Sequence, residues 1–234
     1  MGFWERQATE IAVGATSQLG WYGWRADQLI KVLLDLNLTH LTNGNANMIE
    51  IGSGPVGIAS FFPALRRVAV DPLDGFYARN PVLIAKRDAG VEYREGTGEA
   101  LPCESDDFDL VVIENCIDHV QDVHRVMCEI RRALRPGGTL YLTVNCRTAS
   151  GYWVHRLLSR LRIDAGHPHT FTSDCAERLL HYHGFTILRT WYLQTYRDSR
   201  RADLASRIMK DRLKAYLRVS EFAVAMIGHI PDKP

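Results

Sequence analysis

An apolar segment that breaks into Gly-x-Gly-x-x-Gly constrains this chain more than any other feature. Met48-Ile49-Glu50-Ile51 runs into Gly52-Ser53-Gly54-Pro55-Val56-Gly57, the order in which nucleotide-binding α/β proteins place a strand, a tight loop and a helix. The spacing predicts a strand over residues 46–51. Gly52 then permits the turn, Gly54 lets a ligand approach the backbone, and Gly57 lets the next helix pack closely. Pro55 suits the first helical position, and Pro63 stops that helix at Phe62. Asp71, nineteen residues after Gly52, stands near the offset at which a carboxylate accepts hydrogen bonds from a ribose.

Strand and helix patterns alternate along the rest of the chain. Apolar residues between Ala26 and Leu36 predict a buried-face helix before the first strand. Arg66–Asp71, Val91–Arg94, Phe108–Glu114 and Thr139–Val144 read as strands, and Phe108–Glu114 is apolar enough to be covered on both faces. Val123, Val126, Met127, Ile130 and Leu134 recur at helical spacing. Further helices are predicted from Thr172 to a stop at Gly184 and over 201–218, with strands at 185–193 and 221–228. This order predicts an α/β, Rossmann-like three-layer sandwich: a mostly parallel seven-stranded sheet with an antiparallel edge pair formed by the last two strands. Residues 1–45 read as an N-terminal helical cap segment and 46–234 as the ligand-binding domain, with a substrate-side insertion at 146–172.

The 234 residues carry a net charge of +1, which argues against a broad basic surface for nucleic acid. The basic stretch Arg197–Lys214 is left for a partner or a homodimer contact. Five scattered cysteines without a Cys-x-x-Cys pair indicate neither a disulfide framework nor a zinc knuckle. No apolar run reaches spanning length, and residues 1–20 lack the pattern of a secretory signal. The expectation is a soluble, cytoplasmic protein with no membrane partner.

Glu50 separates the possible ligands. A carboxylate at the end of the first strand repels a pyrophosphate but suits a ligand bearing an ammonium and a sulfonium. At this point the chain resembles the class I S-adenosylmethionine-dependent methyltransferases, over roughly residues 48–144. The resemblance rests on Glu50-Ile51-Gly52-Ser53-Gly54, on Asp71-Pro72, on "GTGEALPCESDDFDLVV", and on "ENCIDHVQDV" followed by "ALRPGG". It implies S-adenosylmethionine as cofactor, with Gly52, Ser53 and Gly54 against the methionyl end and Asp71 and Pro72 at the ribose. Gly98 and Glu99 would border the adenine, and Glu114 and Asn115 would shape the methionyl pocket. Thr97 departs from the family pattern, which often has an acidic residue there for the adenine amine.

In an open parallel sheet the reactive centre lies beyond the carboxyl ends of the strands. That selects Glu114–His119, and His119 is the candidate general base for a hydroxyl acceptor, with Asp118 able to orient it. His155, His167 and His169 in the insertion are candidate acceptor-binding groups. "HPH" reads as a Pro-centred turn, and no metal site is assigned. Tyr22, with Trp4, Trp21 and Trp24, would form an aromatic wall over the acceptor; Trp4 also fits a helix packed on the core. The function expected is methyl transfer to a small-molecule acceptor. The alternatives are an NAD(P)-dependent oxidoreductase and a non-catalytic binding module. No Asn-Pro-Pro-Tyr-type pocket for a flipped base follows the fourth strand, so nucleic acid is not expected as a partner.

Overall fold

The computed structural model describes residues 19–160 and 168–231; Trp4 and His167 lie outside the described residues. Helix α1 (Leu19–Asp35) precedes β1 (Asn47–Ile51), β2 (Arg66–Asp71), the short helices α2 (Asp74–Tyr77) and α3 (Pro81–Ile84), and β3 (Val91–Glu95). Then come β4 (Phe108–Glu114), α4 (Val123–Ala133), β5 (Leu134–Arg147), α5 (Ala149–Arg160), α6 (Ser173–Tyr182) and β6 (Thr186–Gln194). Helices α7 (Tyr196–Ala205) and α8 (Met209–Tyr216) lead into β7 (Glu221–His229).

The sheet has seven strands in the order β3-β2-β1-β4-β5-β7-β6. Pairing is parallel from β3 to β5, while β7 runs antiparallel to both β5 and β6. The expected fold class is therefore observed, including the pairing of the last two strands. Only β7 opposes the common direction, so β6 again points the same way as β1.

Alternation along each strand divides the core. Ile49, Ile51, Val111, Ile113, Leu142 and Met226 face α4 and α6. Met48, Leu110, Val112, Tyr141 and Ala225 face the other side, where Ala26, Leu29 and Leu33 of α1 cover them. Helix α4 starts where Asp122 accepts a hydrogen bond from the Arg125 amide at 3.1 Å, and α6 starts where Thr172 accepts one from Cys175 at 3.2 Å. Such caps satisfy amides that the first helical turn leaves open.

Two sequence expectations are corrected here. A full helix does not follow the glycine loop. Pro55 lies in a turn, and a single 3-10 turn occupies Ile58–Phe61. The reason is Gly57, whose φ of 76° stops helical propagation before it begins. The charged helix expected over 201–218 is two helices. Ser206 leaves α7 with a ψ of 143°, accepts a hydrogen bond from the Ile208 amide and donates one to Asp211 at 2.8 Å. A side-chain turn of this kind competes locally with the helix.

Leu110 is fully buried and Leu65 is 71% exposed. Leu110→Ala should cost about 2–5 kcal/mol in a urea unfolding experiment. Leu65→Ala should stay within about 0.5 kcal/mol of the parent.

Candidate functional site

The loop after β1 is built around two carboxylates that turn inward. Glu50, only 3% exposed, accepts hydrogen bonds from the amides of Ile58 at 3.0 Å and Ala59 at 2.8 Å. Gly57 makes this possible, because a Cβ there would lie 2.5 Å from Glu50 Oε2. The glycine therefore serves the carboxylate rather than close packing of a helix. Asp71, at the end of β2, accepts from the amides of Gly54 at 2.8 Å and Leu73 at 2.9 Å. The amides of Gly52 and Ser53 donate to the Val70 carbonyl at 2.8 and 3.3 Å.

The two other glycines do different work. A Cβ on Gly52 would lie 2.5 Å from Cys116 Sγ, whereas one on Gly54 would meet only the Tyr22 hydroxyl, at 3.9 Å. Gly52 makes room for the turn after β4; Gly54 presents open backbone beneath Tyr22. The Tyr22 expectation thus falls beside the loop, at the inner end of α1. Burial, then the negative charge of Glu50, raises its hydroxyl pKa to about 12.

Glu114 ends β4 on the α1 side of the sheet. Its carboxylate pairs with the Arg25 guanidinium and hydrogen-bonds Tyr141. Burial raises the Glu114 pKa and Arg25 opposes the rise. Arg25 escaped the sequence reading. Its signal was positional: it borders the inward stripe of Tyr22, Ala26, Leu29 and Leu33, where a cation needs a buried acid. The next residue, Asn115, adopts a left-handed φ of 50°, is exposed, and donates its amide to Thr143 at 2.9 Å.

Beyond Asn115 the chain turns past Asp118, which is buried, and His119, which is partly exposed. His119 Nε2 lies 3.8 Å from Asp118 Oδ1. The segment before α6 closes on this turn: the His169 amide donates to the Asp118 carbonyl at 3.3 Å, and its imidazole reaches the Gln121 carbonyl. His155 of α5 is buried and contacts the Thr170 hydroxyl. The structure thus gathers His119 and His169 at one turn and uses His155 to hold the chain that follows. On the far side, Gly98 packs against Val126 and Ile51, and Glu99 Oε1 accepts from the amides of Gln121 at 2.7 Å and Asp122 at 3.3 Å. Pro72 follows Asp71 at the rim. Among the described residues no three metal-ligating side chains cluster.

A polar cleft of about 280 Å3 opens at the same end of the sheet, between β5, β6 and β7 and the α7–α8 pair. Asn145, Gln194, Ser199, Asp203, Lys214 and Glu221 line it. The Ser199 hydroxyl is buried there with no hydrogen-bond partner among the described residues.

Pyrophosphate sites need backbone amides aimed at the ligand and a helix N-terminus behind them. Here five amides of the loop and the turn after it are spent inside the protein, and no full helix follows. The methyltransferase-domain family matches residues 49–142. Over these residues the chain is similar to methyltransferases. It is 29% identical over 154 residues to an uncharacterized methyltransferase of Schizosaccharomyces pombe, covering 66% of this chain and 60% of that one. It is 30% identical over 119 residues to the ubiquinone biosynthesis O-methyltransferase of Azotobacter vinelandii, covering 48% and 50% of the two chains. The chain thus spans about half to three-fifths of these relatives' lengths. Its fold is similar to geranyl diphosphate C-methyltransferase from Streptomyces coelicolor, with a TM-score of 0.61 at 14% identity, covering 87% of this chain and 81% of that one.

Gly57→Ala should destabilise the protein by about 1–3 kcal/mol in chemical unfolding, from the left-handed φ and the collision with Glu50. Burial raises the Glu50 pKa from 4.5 to about 7, with Glu114 adding to the rise and the two amide bonds opposing it. Between those values the folded chain holds a proton that the unfolded chain has lost. This contribution to stability is complete below about pH 4.5 and disappears as pH rises through about 7. Glu50→Gln should flatten that part of the melting-temperature profile, measured by circular dichroism from about pH 4 to about pH 8.

Proposed function

We propose that the chain is an S-adenosylmethionine-dependent methyltransferase acting on a hydroxyl of a small-molecule acceptor. The observation that carries this reading is the inward use of the loop amides, which Glu50, Asp71 and the Val70 carbonyl take up. That arrangement leaves few donors for a pyrophosphate, while the Asp71 carboxylate beside the loop suits a cationic ligand. It disfavours the nicotinamide-dependent alternative on the same ground. The relative from Azotobacter vinelandii is named for transfer to oxygen, which supports the choice of acceptor atom.

Gly52, Ser53 and Gly54 would face the methionyl end, with Glu114 and Asn115 closing it. Asp71 and Pro72 would hold the ribose; the carboxylate keeps lone pairs beyond its two amide bonds. Gly98 and Glu99 would border the adenine. S-adenosylmethionine supplies, when bound, a methyl carbon activated by the adjacent sulfonium. The enzyme's share is alignment, exclusion of water and removal of one proton. His119 would accept that proton from the acceptor hydroxyl, whose oxygen would receive the methyl group that the cofactor supplies. Asp118 steadies the resulting imidazolium. Tyr22 and His169 border the acceptor. His155 acts through Thr170, and His167 is assigned from the sequence alone. Asn145 on β5 lies two residues beyond Thr143, the partner of Glu114 at the end of β4. The polar cleft at Asn145 is the place for the acceptor's head group.

Calorimetry should detect binding of S-adenosylhomocysteine and none of NAD; silence with the former in folded protein would end this reading. Asp71→Ala should weaken that binding about tenfold or more, the loss of a charged hydrogen-bond acceptor. His119→Ala should lower kcat by about 100-fold or more while S-adenosylhomocysteine affinity stays within about twofold. Unchanged turnover would remove His119 as the base.

A further inference from the structure

Helix α8 is turned inside out. In a surface helix the apolar stripe normally faces the core and the charges face water. Here Met209, Leu213, Tyr216 and Leu217, at positions i, i+4, i+7 and i+8, are 83%, 56%, 67% and 59% exposed. The inward side carries Asp211, Lys214 and Ala215, and Lys214 lines the polar cleft. Ile208, just before the helix, is also exposed. The helix is not loosely placed. Arg200 of α7 donates to the Ala215 carbonyl at 3.0 Å, the Val219 amide returns to the Lys214 carbonyl at 2.9 Å, and Ala215 is fully buried.

A second exposed apolar group lies on α5, whose start touches the chain just after α8. Thr148, just before α5, donates to the Arg218 carbonyl at 3.3 Å, and a Cβ on Gly151 would lie 3.4 Å from the Val219 Cα. From that junction α5 presents Trp153 and Leu157, both mostly exposed. Both helices rise from the carboxyl end of the sheet, where the glycine loop, the His119 turn and the polar cleft open.

Charge identifies the occupant. The segment 195–220 holds eight of the 28 basic residues but only three of the 27 acidic ones. With a total of +1, the remainder of the chain is net negative, so the positive charge is concentrated around the apolar face. Arg207, Lys210, Arg212 and Arg218 are exposed at its borders. Aliphatic side chains flanked by Lys and Arg, with Trp and Tyr at the margin, match the interface of an anionic bilayer. A single-stranded nucleic acid would call for stacking platforms rather than Met and Leu. The expectation of no membrane partner came from the lack of a spanning run. No described helix is long and apolar enough to cross a membrane, but lying on one needs only a face of this kind.

We propose that the outward face of α8, with Trp153 and Leu157 beside it, seats the protein on an anionic lipid surface, and that the acceptor is a hydroxyl compound carried by that surface. This rests on the methyltransferase reading for the acceptor, but the docking does not. The apolar residues enter the acyl boundary, the basic residues meet the head groups, and the inward polar side of α8 receives the acceptor's head group in the cleft.

The test is co-sedimentation of the full chain with phosphatidylcholine vesicles and with vesicles that also contain phosphatidylglycerol, at low and high salt. Binding should be confined to the anionic vesicles, weaken in high salt, and fall about tenfold or more in the Leu213→Glu/Leu217→Glu variant. Asp71→Ala should bind vesicles like the parent, which separates docking from cofactor binding. Size-exclusion chromatography and titration with polyuridylate complete the comparison. Equal binding to neutral and anionic vesicles, or none to either, overturns the proposal. So does a dimer that the double variant splits, or polyuridylate binding that displaces the vesicles. A folded double variant, verified by its melting temperature, that binds anionic vesicles as tightly as the parent overturns it as well.

Discussion

The fold of the site depends on one buried carboxylate turned back on its own chain. Glu50 would stand unpaired at the end of β1 in a well-packed interior, which is costly for any ionised group. It is satisfied by the amides of Ile58 and Ala59, and that pairing requires the chain to double back within a few residues. Gly57 is the only residue type that passes the carboxylate at this distance with a positive φ. The turn that results cannot continue as a helix, so the loop lacks the helix N-terminus that would attract an anion. Asp71 repeats the arrangement from the neighbouring strand by holding the Gly54 amide. The loop is therefore donor-poor before any ligand arrives.

The same economy of charge reaches the outer elements. Glu114 at the end of β4 is buried and finds its cation on α1, in Arg25. This ion pair fixes the helix against the strand and places Tyr22 over the open backbone of Gly54. On the opposite side of the sheet, Glu99 receives two amides from the loop leading into α4. Carboxylates thus join the strand ends to the segments that cover them. The exception is α8, whose Lys214 lines a cleft while its apolar residues face outward. A helix patterned against its own domain points to a surface outside the domain.

Much of this was legible from residue order. Phe108–Glu114 is apolar throughout because a central strand is covered on both faces, and the observed strand has those bounds. Asp122 and Thr172 marked helix starts because short polar side chains accept from open amides, and both do so. The glycine loop, Asp71 and the turn at Asp118–His119 do meet at one end of the sheet. The helix after the loop was misread, since Gly57 was taken to ease helix packing when it accommodates Glu50. The break at Ser206 was hidden because a charged, periodic segment looks continuous until a hydroxyl competes for the backbone. Arg25 carried no motif; only its place beside an inward stripe hinted at a buried partner.

By itself, the sequence determined the alternation of strands and helices, the parallel sheet and the strand ends that carry the site. Those follow from apolar periodicity and from turns that few residues can make, and both are local properties. Tertiary structure alone decided which partner each carboxylate found: Glu50 two amides, Glu114 Arg25, Glu99 the α4 entry. It also decided which face of α8 met the domain. Such choices depend on distances between residues far apart in the chain, and an isolated helix is equally content with either face turned inward.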